Sequence, residues 1–207
     1  MVMNPMDIEK RSMEIIESEL RVALPAEIKP IVKRVIHATA DFSFAENMRF
    51  TDGVVPLMRA MLMRGATVVT DTNMALAGIS KPALQKVGAH ALCFVAQEDV
   101  AREAKARNMT RSSVAMERAL AVPGPKLLVC GNAPTFLLSL LDRVAEAPVS
   151  DIAVIGVPVG FVNVVEAKER LWASGIPSIC AMGRRGGSNV AAAIVNALLY
   201  GIEGVRP

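Results

Sequence analysis

Two rhythms of apolar residues run along this chain. From Thr67 onward, short continuous apolar runs recur: Thr67-Val68-Val69-Thr70, Ala91-Leu92-Cys93-Phe94-Val95, Lys126-Leu127-Leu128-Val129-Cys130, Ile152-Ala153-Val154-Ile155 and Ser178-Ile179-Cys180-Ala181-Met182. Between them lie stretches of helical spacing: Lys81 to Val87, Asp99 to Leu120 with a break near Asn108, Pro134 to Ala145, Val164 to Ala173 and Asn189 to Leu199. A strand that is apolar on both faces needs cover on both, and the intervening helices supply it. The pattern predicts a parallel sheet between two helical layers.

The first third of the chain reads differently. Asn4-Pro5 is a helix start, with Asn as N-cap and Pro at the first helical position. The helix runs to about Leu20 with Ile8, Met13, Ile15, Ile16 and Leu20 on its apolar face and Arg11 and Ser12 among its polar positions. A second helix begins at Pro25 or Pro30 and ends at His37. Met48-Arg49-Phe50 reads as a short edge strand, Asp52-Gly53 as a turn, and Val54 to Arg64 as a helix whose methionines fill core. The expected architecture is therefore α/β: a mainly parallel sheet covered by helices on both faces, preceded by an N-terminal helical segment. Residues 1–207 carry no internal repeat, low-complexity tract or linker, so a single domain is expected.

Composition sharpens this. Hydrophobic residues make up 52% of the 207 and aromatics only 4%, so the core must be built from aliphatic residues and methionine. The mean hydropathy is +0.38, yet no apolar run approaches the ~20 residues that span a bilayer. That excess suits buried strands and a subunit interface. The net charge of +3 is dispersed apart from the pairs Lys33-Arg34 and Arg184-Arg185. No basic stripe interleaved with aromatics appears, which argues against nucleic acid. Cys93, Cys130 and Cys180 each fall inside a strand-like run and lack CxxC spacing, as buried free thiols of a reducing compartment would. The first dozen residues mix both signs of charge without an apolar core, so neither a signal peptide nor an anchor is expected.

In a sheet of this kind ligands bind beyond the carboxyl ends of the strands. Those ends carry Asp71-Thr72-Asn73, then Gly131-Asn132-Ala133-Pro134-Thr135, then Gly156 through Asn163 including Gly160, and finally Gly183-Arg184-Arg185-Gly186-Gly187-Ser188-Asn189. The last segment pairs close-approach glycines with two cations and a serine placed to cap the next helix. It is either an anion site or a plain strand-to-helix turn. Thr110-Arg111-Ser112-Ser113 opens a helix with a cation that opposes the helix dipole, and Arg111 is either a ligand contact or an exposed arginine. No metal-ligand spacing, Walker loop, GxGxxG or GxSxG elbow is present. Of the two histidines, His90 precedes a buried strand and reads as structural. His37 stands beside Arg34, Thr39 and Asp41, a setting that allows acid/base work or a structural role.

Several stretches carry a family resemblance. Arg11-Ser12-Met13-Glu14-Ile15-Ile16, Ile36-His37-Ala38-Thr39-Ala40-Asp41-Phe42, Gly131-Asn132-Ala133-Pro134-Thr135, Pro158-Val159-Gly160-Phe161-Val162-Asn163 and Gly183-Arg184-Arg185-Gly186-Gly187-Ser188 occur in the order seen in precorrin-8X methylmutases, which this chain resembles over nearly its whole length. The resemblance implies an isomerase of cobalamin biosynthesis that moves a methyl group from C11 to C12 of a tetrapyrrole. It also implies an α/β homodimer with the site near the subunit boundary, and no cofactor or metal of the protein's own. It places the catalytic proton carrier on His37, with Ser12, Arg34 and Arg111 as substrate contacts. Thr39, Asn132, Gly160, Arg185 and Ser188 complete the expected substrate-binding set. Some members carry an apolar residue at the position of Arg185, so the resemblance assigns that loop more firmly than that side chain.

The chemistry agrees: a suprafacial methyl shift asks the protein for a placed proton and for groups that hold many carboxylates. The HATADF form and compact length lean toward the cobalt-containing substrate. Partners beyond the tetrapyrrole and corrin are not expected, nor are nucleic acid or membrane, and the setting is cytoplasmic. Two rivals remain: a non-enzymatic corrinoid carrier on the same fold, which needs no titratable His37, and a nucleotide-dependent enzyme, which lacks its phosphate loop here.

Overall fold

The computed structural model describes residues 4–147 and 149–205. Its strands are β1 (Met48–Phe50), β2 (Thr67–Thr70), β3 (His90–Cys93), β4 (Lys126–Cys130), β5 (Ile152–Gly156) and β6 (Ser178–Ala181). They form one six-stranded sheet in the order β1-β6-β5-β4-β2-β3. Every pairing is parallel except β1 with β6, which is antiparallel. The helices are α1 (Pro5–Glu19), α2 (Lys29–Thr39), α3 (Phe44–Asn47), α4 (Val54–Met63), α5 (Asn73–Gly78), α6 (Lys81–Lys86), α7 (Glu98–Ala106), α8 (Arg111–Ala121), α9 (Pro134–Glu146), α10 (Val164–Ala173) and α11 (Ser188–Tyr200).

The sheet divides the core in two by strict alternation. Val68, Leu127, Val129, Ala153, Ile155, Ile179 and Ala181 point to the layer of α2, α4, α5, α6 and α11. Val69, Leu128, Cys130, Ile152, Val154 and Cys180 point to the layer of α8, α9 and α10. This is why the strands read as unbroken apolar runs. α11 is the centre of the first layer, with ten of its residues buried. Its Asn196 accepts from the Ser80 amide at 2.8 Å and donates to the Gly78 carbonyl at 2.9 Å, locking α11 to the α5–α6 turn.

Differences from the sequence reading are local. α2 continues past His37 to Thr39 and stops where Ala40 turns left-handed at φ 54. The break near Asn108 is a left-handed residue, φ 53, between α7 and α8. The short helices α3 and α5 have no periodicity to announce them. Ser188 is not the cap of α11: Gly187 holds that position, and the Ser188 hydroxyl pairs instead with Thr72 Oγ1 at 2.8 Å.

Candidate active site

The strand order has a reversal between β2 and β4, since the chain leaves β2 toward β3 on one side and β4 toward β5 on the other. Such a point opens a crevice beyond the strand ends. Here the protein fills it with its own anion. Asp71, 1% exposed, accepts the amides of Gly131 at 3.0 Å, Asn132 at 2.7 Å and Ala133 at 2.7 Å. Successive amides of this kind make a concavity for an anion, the place a nucleotide phosphate would need. While Asp71 holds these amides, a phosphate cannot take that place. Gly131 itself must be glycine, because a Cβ there would meet the Ser188 backbone at 2.8 Å.

The loops after β5 and β6 are locked together. The amides of Gly160 and Gly187 donate to the carbonyls of Arg184 (3.1 Å) and Val157 (2.9 Å). Gly186 passes so close that a Cβ would lie 2.1 Å from the Val157 oxygen. Beneath them Lys168 of α10 is wholly buried and donates from Nζ to the carbonyls of Gly183 at 2.9 Å and Arg185 at 2.8 Å. Above them the Arg184 guanidinium lies over the Phe161 ring, 5.4 Å from its centroid. Phe161 is 82% exposed and Val162 76%, so this edge presents a flat apolar rim with a cation beside it.

From this rim a link runs to the end of α2. Arg185 Nη1 bonds Asp41 Oδ2 at 2.5 Å and also the Ser43 hydroxyl. Burial alone would raise the Asp41 carboxyl, but the Ser43 hydroxyl and amide, and then Arg185, outweigh it and hold it below its ordinary value. His37 lies four residues before Asp41, exposed, in the last turn of α2. Among the described residues its imidazole has no hydrogen-bond or ion-pair partner. Neither Thr39 nor Asp41 orients it. The Thr39 hydroxyl bonds back to the Val35 carbonyl at 2.8 Å and accepts from the Asp41 amide.

The remaining expected residues fall in two groups. Arg34 joins the α2 side, bonding Glu9 of α1 at 2.8 Å with its guanidinium 5.3 Å from the Tyr200 ring centroid. Ser12 lies one turn along α1 from Glu9 and donates to the Ile8 carbonyl at 2.8 Å. Asn132, Gly160, Arg185 and Ser188 share the sheet's carboxyl edge. Arg111 opens α8, which packs on the opposite face of the sheet from α2 and runs back from the carboxyl end of the strands to the start of β4. It is exposed, and among the described residues it has no ion pair.

His90, by contrast, is engaged, its Nε2 3.0 Å from Thr67 Oγ1 across the β2–β3 pair. The cysteines are all free, and burial pushes the Cys130 and Cys180 thiols up, the latter to about 11. Among the described residues no group of acidic, histidine or cysteine side chains could hold a metal ion, and no helix is long and apolar enough to cross a membrane. Sequence reading missed the roles of Asp71, Lys168 and Ser43. Only the first gave any signal, as a carboxylate at a strand end.

Known proteins resemble this chain over nearly its whole length. The model of the precorrin-8X methylmutase family matches residues 7–201. A protein of Salmonella typhimurium named cobalt-precorrin-8 methylmutase is 42% identical over 207 residues, covering 96% of each chain. The precorrin-8X methylmutase of Pseudomonas aeruginosa is 36% identical, covering 92% of this chain and 93% of its own. The solved structure of the precorrin-8X methylmutase of Thermus thermophilus superposes with a TM-score of 0.86 at 34% identity, covering 94% of each chain.

Proposed function

This chain belongs to the precorrin-8X methylmutase family and is a methyl-transferring isomerase of cobalamin biosynthesis, and from that premise we propose how its residues divide the work. Substrate and product are isomers: a C–CH3 bond breaks at C11, one forms at C12, and no proton is gained or lost overall. His37 lends a proton to the conjugated macrocycle, favouring the charge distribution in which the methyl migrates, and recovers one afterwards. The observation that carries this is the exposed imidazole of His37, which has no partner among the described residues, in a chain whose other histidine is bonded to Thr67.

The apolar rim of Phe161 and Val162 suits one face of the macrocycle. Arg184, Arg34, Ser12, Asn132, Ser188 and the amides around Gly160 suit its carboxylates. We assign the cobalt-containing substrate, in keeping with the Salmonella relative's name. The 207 residues act as one domain in a cytoplasmic homodimer. One observation supports the dimer: edge strand β3 stays only part-buried despite its apolar sequence. A second copy would cover β3.

The test is His37→Ala, assayed by the appearance of the corrin absorption from cobalt-precorrin-8 and from precorrin-8X. Turnover falls ~10²–10⁴-fold while product still binds tightly. Equal loss of binding and turnover would make His37 a positioning group, and unchanged turnover would favour the carrier.

A further inference from the structure

Lys168 has no place in the chemistry described so far, yet its position is costly. An ammonium taken fully out of water loses its hydration, a loss that well-placed acceptors must recover. Lys168 is 0% exposed, and among the described residues no carboxylate pairs with it. Its neighbours include the Cys130 and Cys180 thiols, and burial pushes its ammonium down to about 8. A methionine would fill the same space without that cost. What a methionine could not do is hold two carbonyls of the loop after β6.

One of those carbonyls belongs to Arg185, whose side chain reaches Asp41 and Ser43 just beyond His37. The Arg185 and Asp41 side chains are 58% and 31% exposed. A pair that open to water contributes little and cannot place anything by itself. It can do so if its backbone is already fixed, and Lys168 fixes it at the residue itself.

We propose that Lys168 is a positioning residue for the isomerisation: it anchors Gly183 and Arg185 from below, so that Arg185 holds the end of α2 and with it His37 at the rim. The strut runs from α10 through the β6 loop to Asp41, joining the two faces of the sheet. It rests on the assignment of His37 as proton carrier.

The experiment is a double-mutant cycle in the full-length enzyme: Lys168→Met, Arg185→Met and the pair, with His37→Ala alongside. A reacting group displaced by about 1 Å can lose about 10²-fold in rate. Each single variant is therefore expected to lose 10- to 100-fold in kcat, with KM within about threefold and one product bound per chain by titration. The pair is expected to be no worse than the worse single variant, because both act through one link.

A folded Lys168→Met enzyme with wild-type kcat, or losses that multiply in the pair, overturns the proposal. If Lys168→Met does not fold, Lys168→Gln and the surface variant Arg185→Met decide, and unchanged kcat in Arg185→Met overturns it. Loss of turnover in His37→Ala with none in Lys168→Met sinks the strut alone. Full turnover in His37→Ala sinks the assignment on which it rests.

Discussion

Replacing Asp71 tests whether the carboxyl edge is held by the protein's own anion. Its carboxylate takes three amides at 2.7–3.0 Å, with Oδ2 serving Asn132 and Ala133 and Oδ1 serving Gly131. Asp71→Ala strands all three. An unsatisfied buried amide costs about 1–3 kcal/mol, and bonds to a charged acceptor are worth about 1.5–3 kcal/mol. Gly131 is buried, whereas Asn132 is exposed and Ala133 half-buried, so water can reach two of the three. We therefore expect a loss of about 3–5 kcal/mol, read by urea unfolding of the full chain with an unchanged m-value.

Asp71→Asn keeps one oxygen but sets an NH2 against the Gly131 amide, and should lose about 2–3 kcal/mol. Asp71→Gly opens the cradle. Formate should then restore stability as RT ln(1 + [L]/Kd), about 2.7 kcal/mol at a hundred times its Kd, while leaving the wild type alone. A loss under about 1 kcal/mol in Asp71→Ala, or formate acting equally on wild type, would refute the reasoning.

Two further outcomes follow from the same edge. Gly186→Ala drives a Cβ into the Val157 carbonyl at 2.1 Å, so it should cost about 2–3 kcal/mol and most of the turnover. Gly124→Ala, with φ +77 but nothing within 4 Å, should cost only about 1 kcal/mol and leave activity intact; equal effects would rule out close approach as the cause. The second outcome concerns pH. With the Lys168 ammonium at about 8 against an ordinary 10.5, the unfolded chain binds more protons between those values. Stability from this group therefore rises with pH there, by up to about 3 kcal/mol relative to Lys168→Met. A flat difference between the two proteins from pH 8 to 10.5 would contradict it.

The inner strands β2, β4, β5 and β6 were legible because burial on both faces demands unbroken apolar runs, and the bounds of α10 were read as they stand. The part-buried edge strand β3 was read as Ala91 to Val95 and stands as His90–Cys93. The sheet's carboxyl edge could be named from its glycines and polar residues. What could not be read were the partners. Asp71 accepts amides some sixty residues further on, and no local pattern links the two. Lys168 sits in Val164-Val165-Glu166-Ala167-Lys168-Glu169-Arg170, where charges on a helix normally face water. The packing of α10 against α9 and β6 turns it inward. Ser188 looked like a cap because it follows two glycines, yet Thr72 from another strand end claims its hydroxyl.

These buried charges explain how so exposed a histidine can be placed. A helix end such as that of α2 has few contacts of its own, and surface ion pairs are weak. The structure meets this by setting its two costly charges below the rim and spending each on backbone: Asp71 on the amides after β4, Lys168 on the carbonyls after β6. Neither is spent on the other. Backbone groups held this way keep their place when substrate carboxylates arrive, because the anchoring charges are out of the ligand's reach and only weakly screened. Exposed groups such as His37, Arg184 and Arg111 then stay free for the macrocycle. A rim held only by its exposed ion pairs would have to break them at each binding event. The arrangement therefore predicts that salt weakens substrate binding far more than it weakens the fold, with KM rising between 0.05 and 0.5 M salt (on the order of tenfold for a few screened contacts) while the thermal midpoint holds. A parallel fall in both would place the anchoring charges at the surface and contradict the argument.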